Sequence, residues 1–361
     1  MKSIIKYIKQ HYVPATVIYI CIYALYLRIL SLYNHVFWFD EIYQLHQMKS
    51  SFFDFLTKEL PRHEVCPYLS GDLYLIFPFF KIFSYDKWGL AIPHIISTVL
   101  GFYLLYLICK RHIKTIWGYL ITFIIVCFNA TLVYHATEIR VYAVLPTIAM
   151  ATYYVFQKIG DSHFRMSTPK KIGVIIFFIF VIWFHAFGIL IFFSSLLYTL
   201  LLRIEEKNFT MYLKNAVSLV ITVLIIASPL FLYSVFGSHY RPSTQDGPNI
   251  TFAYISDPFH DLVGFLKDIF CNLIGFKPFY FLAIGMIIPF LFSYKERYNQ
   301  LLFLTFIVAL PIYLLFWAAV INNVWFLQRQ FIWVMPFFAF YLSWTWDSLI
   351  VLLNRNMKKE Q

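Results

Sequence analysis

The sequence predicts an all-α integral membrane protein with about ten transmembrane helices, on three observations. Of 361 residues, 61% are hydrophobic and only 13% charged, which is more apolar surface than a water-soluble globule of this size can bury. The apolar residues gather into runs close to the roughly 20 residues that one helical crossing needs. Lys and Arg collect between alternate runs, the pattern of cytoplasmic loops.

Taken in order, Lys2, Lys6 and Lys9 precede the first run, 13–33, and no small-x-small cleavage site follows. This span reads as a retained signal anchor with its N-terminus inside. Further spans fall at 88–109, 115–134, 141–158, 215–235, 278–294, 300–319 and 330–350. The run 172–202 is bounded by Lys170 and Lys171 before it and by Arg203, Lys207 and Lys214 after it. Both of its ends therefore lie inside, and it forms a hairpin of two short helices turning near His185. The stretch 68–83 is short and contains Asp72 and Lys81, and counting it as a span would reverse every later loop. It is expected to be re-entrant or interfacial. Between 42 and 60, Ile42, Leu45, Met48, Phe52, Leu56 and Leu60 recur at three- and four-residue steps, which predicts an amphipathic helix on the outer leaflet. Residues 1–361 then make one polytopic domain with both termini cytoplasmic. Its outer loops are 34–87 and 236–277, and the chain ends soon after the last span, without a soluble C-terminal domain.

The charge distribution tests this topology. The segments assigned inside hold 18 Lys and Arg in 57 residues, against 10 in 112 residues outside. A net charge of +11 would otherwise raise nucleic acid as a partner, but no basic stripe or extramembrane domain remains to hold a duplex. The five cysteines form no C-x-x-C pair, so a zinc or thioredoxin-like site has no basis. Cys66 and Cys271 both fall outside, and whether they pair is left open.

Acidic residues run the other way, with twelve of eighteen on the outer side. Asp40 and Glu41 follow His35-Val36-Phe37-Trp38-Phe39 at the outer end of the first span, where a carboxylate against an aromatic wall becomes useful as a base. A helix-end acid facing water is the plainer reading of the same residues. Glu138 and Arg140 lie at the boundary between the third and fourth spans, two apart and so on different helix faces, which gives each its own partner. Arg140, Arg329 and Arg241 are candidates for a phosphate, since a guanidinium matches its oxygens in a fork; headgroup snorkelling is the alternative. His185 reads first as a buried, hydrogen-bonded histidine. Asp40 and Glu41 would also suit one divalent cation, although two adjacent carboxylates supply few ligands.

Several motifs in order resemble a known group: the acidic pair after the first span, Glu138-x-Arg140-x-Tyr142-Ala143, His185-x-Phe187-Gly188, and Arg329 followed by Phe331 to Pro336. They look like those of the multispanning GT-C glycosyltransferases of the protein-mannosyltransferase and aminoarabinose-transferase type. The resemblance runs from the first span to the last. It implies a bacterial inner-membrane enzyme that moves a sugar from a polyprenyl-phosphate donor to an extracytoplasmic acceptor, usually with inversion. It makes Asp40 the general base and gives Glu41 the task of orienting the acceptor or a nearby cation. Arg140 and Arg329 become the holders of the donor phosphate, and Glu138, Tyr142, His185 and His63 line or support the pocket. The segments 42–60 and 68–83 would roof the donor groove.

Two departures stand out. The family's His-Pro-Pro-Leu-Tyr appears here as His63-Glu64-Val65-Cys66-Pro67-Tyr68-Leu69, which displaces His63 from the proline. Its Arg-Leu-Pro-Ser appears as Ala91-Ile92-Pro93-His94, which removes a cation. The rival from another class is a transporter or flippase of a lipid-linked or anionic substrate. Only 12 glycines and no internal repeat speak against the broken, duplicated helices of that class.

Overall fold

The structure, a computed structural model, describes residues 2–55, 71–236, 255–275, 277–322 and 326–357. His63, Cys66, Arg241 and the end of the expected 42–60 helix lie outside the described residues. Among the described residues there is no strand, and helices carry the fold. The first helix, α1 (Lys2–Asn34), exposes Ile18, Tyr19, Ile22, Tyr26, Ile29 and Tyr33 along its length. Such a face suits lipid and is costly in water. Among the described residues, five helices are long and apolar enough to cross a membrane, which agrees with an integral membrane protein.

Helix α2 (Phe39–Gln47) begins three residues before the expected amphipathic segment, and the chain then turns at 48–51 before the short α3 (Phe52–Asp54). The segment 42–60 is thus interrupted instead of continuous. Ser51 caps the second piece by accepting from Asp54 N at 3.1 Å, a local bond that favours a new helix start over continuation. The interfacial stretch is α4 (Gly71–Phe83), whose 13 residues reach only about 20 Å at 1.5 Å per residue. Its two ends sit at the same end of the molecule. A Cβ on Gly71 would collide with Phe184 at the C-terminal end of one helix, and Phe83 packs against Gly89 at the N-terminal end of another. Leu73, Ile76, Phe77 and Phe80 bury against Leu45, Met48, Leu90 and Ile139, which fixes α2 and α4 across this end.

After α4 the chain continues as α5 (Lys87–His112), α6 (Ile116–Phe128), α7 (Ala130–His135), α8 (Leu145–Asp161), α9 (Thr168–Phe184), α10 (Gly188–Leu201) and α11 (Phe209–Phe236). Helices α9 and α10 are the expected hairpin. The expected span 115–134 is two helices with a break at Asn129, whose Oδ1 accepts from Leu132 N (2.9 Å) while its Nδ2 donates to Asn272 O (3.1 Å) and Leu273 O (3.3 Å). Those carbonyls belong to α12 (Leu262–Ile274). The next span starts at Leu145, later than the expected 141, because Val141–Ala143 is a single 3-10 turn.

Two further differences concern the C-terminal third. The expected span 278–294 is 3-10 helix, in the pieces Lys277–Met286 and Ile288–Leu291. Pro278 and Pro289 each remove a backbone donor, and Gly285 lies against Thr345 and Trp346, where a Cβ would be 2.9 Å from Thr345 Oγ1. At about 2.0 Å per residue the stretch still reaches roughly 30 Å, the thickness of the hydrocarbon core. A loop is expected at 295–299, but the turn falls at Phe292-Ser293. From Tyr294 the chain runs as α13 (Tyr294–Phe303), a π-helical segment Leu304–Ala309 and α14 (Leu310–Asn322). Last comes a 3-10 segment, Gln328–Val334, leading into α15 (Met335–Met357). The main core gathers α15, α6, α5 and α8 around Phe303, Phe331, Trp333 and Phe337, and a second core joins α8 to α11 through Phe156, Phe178, Phe192 and Tyr212.

Charged contacts mark the two ends. At one end Asp161 meets Arg203 (2.8 Å) and Arg111, Arg203 also meets Glu206 (3.0 Å), and Asp347 accepts from the backbone of Lys114 and Thr115 (both 2.8 Å). All of these segments are assigned to one side by the sequence. The candidate residues lie at the opposite end.

Candidate active site

Asp40 stands in the first turn of α2, about half exposed, and faces Arg140 from the loop between α7 and α8 with 3.4 Å between Oδ2 and Nη1. Arg140 is mostly enclosed and its backbone is extended, so its side chain leaves the loop just before the 3-10 turn that carries Tyr142. The guanidinium of Arg329 lies over the Tyr142 ring, 5.3 Å from its centre, and Arg329 Nε is buried without a hydrogen-bond partner among the described residues. His185 fills the turn between α9 and α10. Its ring is 6.5 Å from that of Tyr142, and its Nδ1 accepts from Phe187 N at 3.2 Å. Burial, helped by the Arg140 guanidinium, pushes His185 down to about 4, so the ring is neutral at ordinary pH. Asp40, Arg140, Tyr142, Arg329 and His185 thus meet at one end of the bundle, from four separate stretches of chain.

Glu41 is differently placed. It is 1% exposed, and its two oxygens accept from Ile139 N (2.7 Å), Trp38 N (2.8 Å) and His35 Nε2 (3.0 and 3.1 Å). The bond from Trp38 N is the returning half of a helix-capping pattern and explains why α2 starts where it does. The bond from Ile139 N ties this helix start to the loop holding Arg140, so Glu41 sets the distance between Asp40 and its partner. Glu138 is also buried and pairs with His135 Nδ1 (2.5 Å), while Arg140 pairs with Asp40, which gives the two neighbours the separate partners expected of them. His63 lies outside the described residues.

Sequence reasoning missed His35, His135 and Trp38 as participants. His135 stands three residues before Glu138, a readable spacing at a helix end. His35 stands six residues before Glu41 across a helix break, and no periodicity joins them. A divalent cation shared by Asp40 and Glu41 does not fit these contacts, since both Glu41 oxygens are occupied by N–H donors and Asp40 faces a guanidinium.

The fold and site define an all-α polytopic membrane protein whose titratable cluster sits at one end of the helix bundle. Among solved structures, the chain is similar to the crystal structure of ArnT from Cupriavidus metallidurans in the apo state, with a TM-score of 0.59 and 15% identity. The similarity covers 92% of this chain and 59% of that one, so the chain spans under two thirds of the length of ArnT. At this identity the likeness establishes the fold, and it agrees with the GT-C resemblance of the motifs. No family model matches the sequence, and no curated protein matches it.

Proposed function

We propose that the protein is a membrane glycosyltransferase of the GT-C type, which moves a sugar from a polyprenyl-phosphate donor to an extracytoplasmic acceptor. The observation that carries the reading is the apposition of Asp40 and Arg140 at 3.4 Å, beside Arg329 with its unpartnered Nε, in a fold shared with ArnT. A transfer of this kind needs a base for the acceptor hydroxyl and positive charge for the departing phosphate. Asp40 takes the proton as the acceptor oxygen attacks the anomeric carbon, and the bond from that carbon to the phosphate oxygen breaks. The leaving polyprenyl phosphate keeps the electron pair and is stabilised by Arg140 and Arg329.

The ion pair adds a further step. While Arg140 faces Asp40, the guanidinium occupies the carboxylate. A donor phosphate competes for the guanidinium, which frees Asp40 when the donor is present. Glu41 acts as a positioning residue in this scheme, and Glu138, Tyr142 and His185 form the enclosing wall. No metal step is needed, and the phosphate is already a stable leaving group.

The experiment follows the donor in vesicles containing the purified protein and a radiolabelled polyprenyl-phosphate sugar. Release of polyprenyl phosphate with the label passing to an acceptor in the outer compartment is the expected result. Movement of the intact donor between leaflets, with no sugar–phosphate cleavage, would replace this reading with the transporter.

A further inference from the structure

Arg28 belongs to no part of the scheme above. It lies in α1, six residues before the outer end at Asn34, and so about 9 Å below that end along the helix. Only 4% of it is exposed. Its Nη1 donates to Ala24 O at 3.0 Å, and its guanidinium lies 5.2 Å from the centre of the Phe102 ring. Its Nε is buried with no hydrogen-bond partner, and among the described residues no carboxylate pairs with it. Charged groups at membrane depth are costly and are held by a partner of opposite charge. One carbonyl and one ring face do not neutralise a guanidinium.

Beside Arg28 is a cavity between α1, α5, α6 and α8, lined also by Thr98, Gly101, Tyr142, Thr147 and Pro336. Apart from the two threonines, the Tyr142 hydroxyl and Arg28, its walls are apolar side chains. Gly101 keeps room there, since a Cβ would stand 2.7 Å from Thr147 Oγ1. Tyr142 separates this cavity from the outer cluster, with its ring under Arg329 on one side and lining the cavity on the other.

We infer that this cavity is an intramembrane phosphate site, in which Arg28 holds the phosphate of a lipid while the apolar walls take the first carbons of its chain. The depth below the helix end and the apolar walls favour an amphiphile over a free, hydrated ion. A guanidinium with unused donors is matched by phosphate oxygens, and the Thr98 hydroxyl adds a neutral donor, the Thr147 hydroxyl being spent on Ser97 O (2.8 Å). The site is additional to Arg140 and Arg329 and does not depend on sugar transfer, so it stands or falls by binding alone.

The test uses the full-length protein in nanodiscs of zwitterionic lipid, carrying Arg140→Ala and Arg329→Ala so that the outer cations cannot contribute. Farnesyl phosphate, farnesol and inorganic phosphate are titrated separately. Saturable binding of farnesyl phosphate is expected, weakened at least tenfold by adding Arg28→Gln and largely kept with Arg28→Lys, while farnesol and inorganic phosphate bind at least tenfold more weakly. Inorganic phosphate binding as tightly as farnesyl phosphate would overturn the lipid assignment, and equal binding of farnesol would overturn the phosphate assignment. Should Arg28→Gln fail to fold, Thr98→Ile narrows the cavity and leaves the charge in place. Undiminished farnesyl phosphate binding in that variant would overturn the proposal.

Discussion

At the scale of single residues, neighbours in sequence do different work. Asp40 is half exposed and faces a cation, whereas Glu41 is sealed in by backbone and imidazole donors. Environment decides this difference between two adjacent carboxylates of nearly equal intrinsic acidity. His185 shows the same principle with the opposite charge, because burial and Arg140 both disfavour its proton. Its pKa in the folded protein, about 4, lies below the value near 6.5 of an unfolded chain. Between those values the unfolded chain binds more protons, so stability rises with pH there and is lost as pH falls from about 6.5 toward 4. The expected outcome is a thermal midpoint that drops across this window and drops less in His185→Gln. Thermal unfolding in detergent at a series of pH values checks it, and identical slopes in the two proteins would remove His185 as the cause.

Among the elements, the joint between α2 and the 136–140 loop decides the site. Replacing Glu41 with Ala leaves Ile139 N, Trp38 N and His35 without their acceptor in a buried place, a loss of roughly 3 kcal/mol. A lowered thermal midpoint is expected, together with a raised acceptor KM as Asp40 loses its register, and Glu41→Gln should recover part of both. An unchanged midpoint in Glu41→Ala would show that the tether bears little. Much of this level is legible in the sequence. Basic flanks predict the α9–α10 hairpin, and the charges within 68–83 with its shortness predict an element that lies across the end. The spacing of Glu138 and Arg140 predicts separate partners. What is not legible depends on contacts between distant segments. Asn129 interrupts an unbroken apolar run because it bonds the end of α12, and neither Pro nor Gly announces that break. The 3-10 geometry of 277–291 has Pro278, Pro289 and the close approach of Gly285 to α15 behind it, and hydropathy registers none of them. His35 reaches Glu41 across a helix break, outside any helical or strand period.

For the whole molecule, the charge asymmetry and the fold express one arrangement. The Asp161, Arg111 and Arg203 cluster ties three helix ends together on the side where basic loops collect. Asp40, Arg140, Arg329 and His185 meet on the other, where acidic residues predominate. A reaction confined to one face, as proposed above, needs this polarity. The central claim is that Asp40 is the base of that reaction, and Asp40→Asn keeps its volume while removing its basicity. Purified parent and variant should bind the donor comparably, and the variant's transfer rate should fall by about 10²–10⁴, the usual contribution of a positioned base. A variant that folds, binds donor and transfers sugar at the parental rate would contradict the account.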